Sequence, residues 1–476
     1  MSGEIPPGHL GNLTPEQEQK LLQLWEMLLK IFNEPVGDGQ FGMRKASTAS
    51  SVTTPKETKK KSRWWGGSSS STKVDTPSDS TSSFAGLEGD DKWGMNKEFH
   101  NALQKYTPQQ LQEAFYHYCK NEHPDVTALR FLRARKWDVN KAFVMLVSTL
   151  QFRLGMYKID SDILRRGEGG YLEDSKSSDP QIKKTGTDFI NLLSLGHSFI
   201  HGTDKKNRPV CYIRVKLHKI GAYAQSSVEK YVIWMIETAR LMMGPNIETA
   251  AIVFDLTGFG LSNMDYTAVK FIIQCFEANY PESLGVVLVH KAPWIFSSAW
   301  ALIKGWLDPV VASKIHFTKT DQDLLEYISQ DKLLKDLGGN DANDYKYTPV
   351  VEGENKLMDD KASAQAATEK RRKLCLEYES LTRKWIETNK TEKEKDEALV
   401  KERQELGGKV VLSYWDTDPY VRARTVYDRL HLVKRPDEQA VLPDSKIANG
   451  VVTNGILEKN GVVNGTTTLV NGTQVN

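Results

Sequence analysis

Histidines and carboxylates are the first side chains to consider for catalysis or metal binding. His197 and His201 are four residues apart, which would place both imidazoles on one face of a helix. The neighbouring residues predict a strand instead, and there the same spacing is about 13 Å, too far for a shared metal. Asp255 ends an apolar run, and Gly258 and Gly260 after it predict a turn, so a hydrogen-bonding role is favoured over catalysis.

Motifs that mark enzymes by their spacing are absent from the sequence. It has no nucleophile elbow of serine hydrolases, no P-loop, no glycine-rich dinucleotide-binding turn and no histidine pair of zinc peptidases. Its four cysteines, Cys119, Cys211, Cys275 and Cys375, are far apart and lack the spacing of a zinc or redox site. The chain is therefore predicted to be a non-enzyme without metal or cofactor, with reduced thiols as in the cytosol.

The segment from Asn279 to Phe317 carries the clearest pattern in the chain. It predicts a turn, a buried strand from Ser283 to His290, a second turn, and a short helix from about Phe296 to Trp306. This helix is unusually apolar, and its only charged residue is Lys304. Two interpretations fit this composition: a helix buried in an ordinary core, and a helix that covers a hydrophobic site.

The composition of the whole chain limits what can surround this segment. With 476 residues, of which 39% are hydrophobic, the chain can form one large or two modest cores with flanking segments. Its net charge of +2 gives no reason to expect a nucleic-acid partner. The first residues lack the regions of a secretory signal, and no stretch reaches the roughly 20 apolar residues that span a bilayer. We expect a cytoplasmic monomer that is peripheral to membranes at most.

The amino-terminal flank divides into a helix and a linker. Residues 1–32 are predicted to be an amphipathic helix that docks on the main body, with a capping box from Thr14 to Gln17. Residues 33–91, rich in Ser and Lys, are predicted to be a disordered linker. Within it, residues 56–67 (KETKKKSRWWGG) are compatible with a solvated linker and with a contact to an anionic membrane surface.

Two folded regions are predicted after the linker. Residues 92–155 have helical spacing, with a break at Trp137, and predict a small all-α domain. In it, a basic ridge of Arg130, Arg133, Arg135 and Lys136 is predicted to be solvated surface rather than a binding site. Residues 185–342 alternate strands and helices, which predicts an α/β fold with a mixed, mostly parallel sheet.

The α/β region also has boundaries that can be predicted. Strands are predicted at about 197–200, 209–217, 250–256 and 283–290, with a turn at 201–209 between the first two. Ser226 and Glu229 predict a capping box for the helix that follows the second strand, and another helix is predicted at about 265–279.

The carboxy-terminal part is more polar. Residues 360–432 are highly charged and predict a helical extension, which includes an amphipathic helix from Leu374 to Trp385 and a short aromatic and basic element at 414–430. The tail at 436–476 repeats Asn-Gly pairs, lacks aromatic residues and is predicted to be disordered.

Four motifs resemble the CRAL-TRIO lipid-binding family, and most of all its fungal-type phosphatidylinositol transfer protein branch. They are FLRARKWDVNKA at 131–142, GTDKKNRPV at 202–210, FDLTGFGLSNMDY at 254–266 and the segment at 279–317. The resemblance covers about residues 95–340. It implies a helical CRAL-TRIO amino-terminal domain at 92–155 and a domain at 185–342 whose sheet and helices form a lipid pocket.

The resemblance also implies a function and roles for residues. The protein would be a non-enzymatic carrier that exchanges one phospholipid, with phosphatidylinositol favoured, and that touches membranes transiently. Its pocket would be lined by Phe254, Val287 and Val289, and its gate helix would be formed by Phe296, Trp300, Ile303, Trp306 and Leu307.

The residues that would contact the lipid headgroup match the family only in part. Lys304 stands where the family has a lysine that contacts phosphoinositol. Phe271 stands where the family has a glutamate, and this removes an acceptor for inositol hydroxyls. A sterol-like or polyisoprenoid ligand therefore stays open, as does a lipid-sensing adaptor that recruits a partner through the linker and the carboxy-terminal region.

Overall fold

The computed structural model describes residues 5–32, 84, 86–244, 246–391 and 396–436. The predicted membrane contact of residues 56–67, most of the predicted linker and the predicted disordered tail beyond residue 436 lie outside these described residues. Helices α1 to α15 span Pro15–Ile31, Met95–Lys105, Pro108–Cys119, Pro124–Ala134, Val139–Leu154, Arg165–Asp174, Pro180–Leu195, Gln225–Leu241, Tyr266–Gln274, Phe296–Lys304, Pro309–Ser313, Asp321–Leu324, Lys361–Thr391, Glu397–Val421 and Val426–Arg429. Strands β1 to β5 span Ser198–Thr203, Pro209–Arg214, Ala250–Asp255, Leu284–His290 and Ile315–Thr318.

The five strands form one sheet in sequence order. β1 and β2 are an antiparallel hairpin, whereas β2, β3, β4 and β5 are parallel neighbours. This confirms the prediction of a mixed, mostly parallel sheet preceded by an all-α region. β5 was not predicted, because four residues are too few for a period-two pattern and two of them, His316 and Phe317, are exposed.

Alternation along the strands gives the sheet two buried faces, since successive side chains point to opposite sides. One face packs on the segment at 324–337 through Val210, Tyr212, Ala251, Val253, Val286 and Leu288. The other face turns towards α8, α9 and α10, and the candidate functional site lies there.

The amino-terminal helix and the carboxy-terminal extension both pack on the all-α region. The capping box of α1 is present, because Gln17 N donates to Thr14 Oγ1 and Thr14 N donates to Gln17 Oε1. Asp125 in α4 accepts hydrogen bonds from Trp25 of α1 and Tyr378 of α13, and it forms an ion pair with Arg403 of α14. One buried carboxylate therefore joins four helices.

The extension also reaches the sheet. β1 is an edge strand, and Ile200 N donates a hydrogen bond to the Tyr427 hydroxyl over 2.8 Å. The Tyr231 hydroxyl of α8 donates to Ser198 O over 2.9 Å. β1 is thus hydrogen-bonded to both α8 and α15, the last described helix.

The prediction that the basic ridge is solvated surface is wrong for Arg130 and Arg133. The Arg130 side chain is 2% exposed and pairs with Glu122, and Arg133 pairs with Glu248 over 2.6 Å. Both arginines face neighbouring segments, where carboxylates compensate their charge. Arg135 is partly buried, and only Lys136 of the predicted set is exposed.

Three local predictions also differ from the structure. α8 begins at Gln225 without a side-chain cap, so the predicted capping box of Ser226 and Glu229 does not form; Glu229 instead accepts a hydrogen bond from Tyr157. β2 ends at Arg214, and a 3₁₀ turn occupies 215–217. The predicted short element at 414–430 is divided between the end of α14 and α15, because α14 continues through Pro419.

Candidate functional site

The inner face of the sheet forms the floor of a cavity. Its side chains alternate with those of the outer face, so that every second residue of β2, β3 and β4 reaches the cavity. The floor consists of Cys211, Ile213, Ala250, Ile252, Phe254, Val287 and Val289, with Ile315 of β5 at its edge.

Two helices form the walls of the cavity. In α8, the residues that face the cavity recur three or four positions apart, as expected for one side of a helix: Val228, Tyr231, Val232, Met235, Ile236 and Ala239. α9 and the π-helical turn that follows it, Cys275–Asn279, supply Ala268, Val269, Ile272, Ile273 and Phe276.

α10 covers the cavity. Phe296, Trp300 and Ile303 line it from this helix. The Phe296 ring lies 5.7 Å from the Phe259 ring, and the Trp300 ring lies 5.0 Å from the Phe317 ring, both in edge-to-face geometry. The cover is therefore held by apolar and aromatic contacts, which can part without leaving an unpaired charge.

A carboxylate fixes the segment at the carboxyl end of this cover. Glu277 lies in the π-helical turn, and its Oε1 accepts from Asp308 N over 2.6 Å. Its Oε2 accepts from Lys92 Nζ over 2.5 Å and from Trp93 Nε1 over 3.0 Å. Lys92 Nζ also donates to the carbonyl of Trp306. We call these residues the Glu277 clasp; it joins the start of the all-α region to the end of the cover.

The cavity is apolar and has a volume of about 240 Å³. Its lining is mostly aliphatic and aromatic side chains. This apolar lining suits the hydrocarbon part of a ligand.

Polar groups of the lining collect near the start of β1. His197, His218, Asn263 and Asp265 contribute to this part of the cavity. His218 Nε2 lies 3.1 Å from Asp265 Oδ2, and the centroids of the His197 and His218 rings are 5.4 Å apart. Burial, assisted by the His218 ring, lowers the pKa of His197 to about 4. This end of the cavity is polar but carries no unpaired cation at neutral pH.

Arg240 is the cation of the lining, and it shares the carboxylate of Glu237 with Arg153 and Lys120. Its Nη1 lies 3.8 Å from Glu237 Oε2, and its Nη2 donates to the carbonyl of Tyr118. The guanidinium carbon lies 4.4 Å from the centroid of the Tyr118 ring. Arg240 therefore ties α8 to the all-α region.

The predicted site residues fall into two groups. Phe254, Val287 and Val289 lie in the cavity lining, as do Phe296, Trp300, Ile303 and Leu307 of the predicted gate. The other three lie outside the lining. Phe271 is buried 5.8 Å from the Tyr157 ring, Trp306 packs 5.9 Å from the Tyr266 ring, and Lys304 is exposed to solvent. Contact of any of them with a lipid stays a prediction.

Sequence reasoning missed Tyr231, Met235 and His197 in the lining and Glu277 at the clasp. The apolar spacing of α8 was a usable signal for the first two. Glu277 had no such signal, because its partners Asp308 and Lys92 lie 31 and 185 residues away in sequence.

The outer surface beside the cover exposes several large apolar side chains. Trp294 is 86% exposed, Leu302 48% and Phe317 44%. Lys304 lies on the same helix as Leu302. Within the described ranges, no helix combines the length and the apolar character needed to cross a bilayer. We call Trp294, Leu302 and Phe317 the exposed patch beside the cover.

Two family models match the chain. The model described as CRAL/TRIO domain matches residues 193–339, and the model described as CRAL/TRIO, N-terminal domain matches residues 95–148. The first contains the sheet and the cover, and the second contains most of the all-α region.

Two curated relatives match over nearly the whole chain, and a third matches over less than half of it. A CRAL-TRIO domain-containing protein of Schizosaccharomyces pombe, C3H8.02, is 36% identical over 95% of this chain and 98% of its own length. The phosphatidylinositol transfer protein CSR1 of Eremothecium gossypii is 33% identical over 90% of this chain and 98% of its own length. The Sec14 cytosolic factor of Schizosaccharomyces pombe is 30% identical over 45% of this chain and 74% of its own length.

Proposed function

The chain belongs to the CRAL-TRIO family, and from this membership we propose that it is a non-enzymatic lipid transfer protein. It encloses one lipid molecule in the cavity under α10 and exchanges it between membranes. The observation that carries the proposal is the apolar cavity between the sheet, α8 and α9, with α10 as its cover.

The energetics of a lipid in water explain why a carrier needs such a cavity. A phospholipid has on the order of 30 chain methylenes, and at ~0.8 kcal/mol each their exposure to water costs roughly 25 kcal/mol. The carrier must cover the chains during transport and uncover them only at a membrane.

The exposed patch beside the cover supports membrane contact. Trp294, Leu302 and Phe317 are of the types that enter the membrane interface, where an indole ring is favoured at headgroup depth. Lys304 next to them suits the phosphates of the bilayer surface. Docking through this patch brings the cover to the bilayer, where it opens.

Phosphatidylinositol is the first proposed ligand. A relative at 33% identity carries that lipid in its name, and Lys304 can meet a phosphate when the cover contacts a membrane. A sterol-like or polyisoprenoid lipid is the second candidate. It is favoured by Phe271, which offers no acceptor to an inositol ring.

Native mass spectrometry of the purified protein tests the proposal. We expect the mass of the protein plus one lipid, and uptake of labelled phosphatidylinositol or of a labelled neutral lipid from vesicles. A clean mass of the protein alone, with no uptake from vesicles of either composition, contradicts lipid transfer.

A further inference from the structure

Two neighbouring loops beside the cover, at 215–222 and 257–266, expose apolar side chains. Ile220 in the first loop is 56% exposed, and Leu261 in the second is 68% exposed. A backbone hydrogen bond joins the loops, with Ile220 N donating to Ser262 O over 3.1 Å. We call Ile220, Leu261 and the exposed Tyr266 at the start of α9 the loop patch.

Hydrogen bonds between the loops fix the loop patch to the frame of the cavity. Asn263 Nδ2 donates to the carbonyls of Lys216 and His218. Asp265 Oδ2 lies 3.1 Å from His218 Nε2, and its Oδ1 accepts from the first backbone nitrogens of α9. These bonds do not involve α10, so the loop patch is held independently of the cover.

The loop patch lies across α10 from Phe317 of the exposed patch beside the cover. α10 follows β4, which lies between β3 and β5 in the sheet. On the β3 side, the Tyr266 ring packs 5.9 Å from the Trp306 ring, just beyond the end of α10. On the β5 side, the Phe317 ring packs 5.0 Å from the Trp300 ring. Exposed apolar side chains therefore flank the cover on both sides.

The charged side chains beside the loop patch are mainly basic. Lys216 and Lys219 lie in the first loop, and Lys270 lies in the second turn of α9; all three are exposed. The two loops contain one carboxylate, Asp265, which is engaged by the hydrogen bonds described above. Apolar side chains beside lysines suit an anionic bilayer, because the apolar groups enter the interface while the cations contact lipid phosphates.

A bilayer fits the loop patch better than a protein does. A standard protein interface takes about 20–30 residues on each side, packed against a surface of complementary shape. The loop patch offers three apolar side chains among exposed lysines, too few for such an interface. A fluid bilayer has no fixed shape to match and accepts single side chains. The proposed membrane contact of the neighbouring cover brings the same bilayer to the loops.

We propose that the loop patch is a second membrane-binding surface. Ile220 and Leu261 insert into the interface of an anionic bilayer, and the lysines beside them contact lipid phosphates. Because the loop patch is held independently of α10, it keeps the cavity mouth on the membrane while the cover opens and closes. This inference rests on the proposed function of lipid carrier and adds a fixed anchor to it.

Sedimentation of the full chain with vesicles tests the proposal, using phosphatidylcholine alone and phosphatidylcholine with phosphatidylserine. Ile220→Ser combined with Leu261→Ser is expected to lower the affinity for the anionic vesicles about tenfold or more, because two aliphatic side chains no longer enter the interface. Val351→Ser combined with Leu357→Ser is the matched control. These two side chains are similarly exposed but lie beside the carboxy-terminal extension, so the affinity should stay unchanged.

A second double variant separates charge from insertion. Lys216→Gln combined with Lys219→Gln is expected to weaken binding to the vesicles with phosphatidylserine about tenfold and to leave binding to phosphatidylcholine vesicles unchanged. Thermal unfolding should be the same in the parent protein and in both variants, because all four side chains are exposed. If the serine variant unfolds at a lower temperature, the lysine variant decides.

The outcomes that overturn the proposal differ from those that overturn lipid transfer. Equal sedimentation of the serine variant and the parent protein with anionic vesicles refutes the membrane surface and leaves a protein partner for the loop patch. An unchanged affinity for these vesicles in the lysine variant also refutes it. If vesicle binding follows the expected pattern but the parent protein takes up no lipid, the membrane surface stands and the carrier function fails.

Discussion

At the scale of single residues, Lys304 is the proposed contact between α10 and a lipid headgroup. Its ammonium group is exposed and lies outside the cavity lining. We therefore expect its proposed contact with a lipid phosphate at the cavity mouth, when the cover faces a membrane.

Lys304→Ala is expected to slow the transfer of phosphatidylinositol between vesicles about fivefold, because one basic side chain near an anionic surface contributes roughly 1 kcal/mol. Transfer of an uncharged lipid is expected to change less. Lys401→Ala, on the exposed surface of α14, is the control and should leave both rates unchanged. An unaltered rate of phosphatidylinositol transfer in Lys304→Ala would remove this residue from the headgroup site.

Asp125 joins four helices through its buried carboxylate. Its carboxylate accepts from Arg403 Nη1 over 2.5 Å and from Trp25 Nε1 over 2.7 Å. Asp125→Asn leaves the buried Arg403 without its counter-charge, which typically costs about 3–5 kcal/mol of unfolding free energy. Urea unfolding measures this loss, and an unchanged midpoint would show that the pair does not contribute.

The same residue gives the protein a defined acid sensitivity. Burial by itself would raise the pKa of Asp125, but the charge and hydrogen bonds of Arg403 bring it to about 2, below the ordinary 3.8. The ion pair therefore stabilises the fold above about pH 4, and this contribution is lost as the pH falls towards 2. Unfolding measured between pH 4 and pH 2 should show a smaller decline in Asp125→Asn than in the parent protein.

Sequence reasoning at the residue scale worked where one face of an element was known. Phe254, Val287 and Val289 fall on the cavity side because strands alternate. Phe271 was placed at the headgroup by resemblance, at the position where the family has a glutamate, and that role stays a prediction. In the structure, Phe271 packs towards Tyr157 while its neighbours Ile272 and Ile273 line the cavity.

At the scale of elements, the Glu277 clasp links the cover to the all-α region. Opening α10 as a lid moves Asp308, whose backbone nitrogen is bound to Glu277. The same carboxylate holds Lys92 and Trp93, so that motion of the cover is resisted by a segment at the start of the all-α region.

Glu277→Gln is expected to loosen the cover. The glutamine side chain has no negative charge opposite Lys92. One acceptor oxygen becomes an NH₂ group, a donor that faces the donors of Lys92 and Trp93 or of Asp308. Loss of about 1–3 kcal/mol of such contacts would raise the open population, and with it the rate of lipid release, about tenfold or more. Hydrogen exchange at residues 305–310 and stopped-flow lipid release measure the two effects.

A matched substitution distinguishes loosening of the cover from general destabilisation. Glu229→Gln removes a carboxylate from α8 that accepts from Tyr157, away from the clasp. It should leave lipid release and exchange at 305–310 unchanged. If Glu277→Gln behaves like this control, the clasp does not restrain the cover.

The elements were predictable in proportion to their length and regularity. β3, β4 and the apolar helices between them follow from continuous apolar runs. β5 and the 3₁₀ turn at 215–217 are too short to give a periodic pattern. The start of α8 could not be found from a capping box, because Glu229 is engaged by Tyr157 from another helix.

At the scale of the whole molecule, the carboxy-terminal extension is part of the folded body. Glu168 of α6 pairs with Arg429, and its Oε1 accepts from Val426 N over 2.7 Å. Arg403 completes the buried pair with Asp125. An adaptor function of this region cannot be separated from lipid transfer by deleting it whole.

Removal of residues 397–476 is expected to lower the thermal midpoint strongly or to prevent folding, because Asp125 and Glu168 would stay buried without their arginines. Removal of residues 437–476 alone leaves every described contact in place and serves as the comparison. Circular dichroism and size-exclusion chromatography measure both. A folded monomer with an unchanged midpoint after the longer deletion would show that the extension is dispensable.

The hydrogen bond from Ile200 N to the Tyr427 hydroxyl has a consequence for protein synthesis. The edge of β1 lacks this partner until Tyr427, more than two hundred residues later in the sequence, has been translated. Until then, the nascent chain contains the apolar cavity beside a sheet whose edge is not yet hydrogen-bonded. During that interval the ribosome-bound chain presents a lipid-sized hydrophobic surface to the cytosol. We therefore expect the nascent chain, more than the finished protein, to need a chaperone or the early arrival of its own lipid.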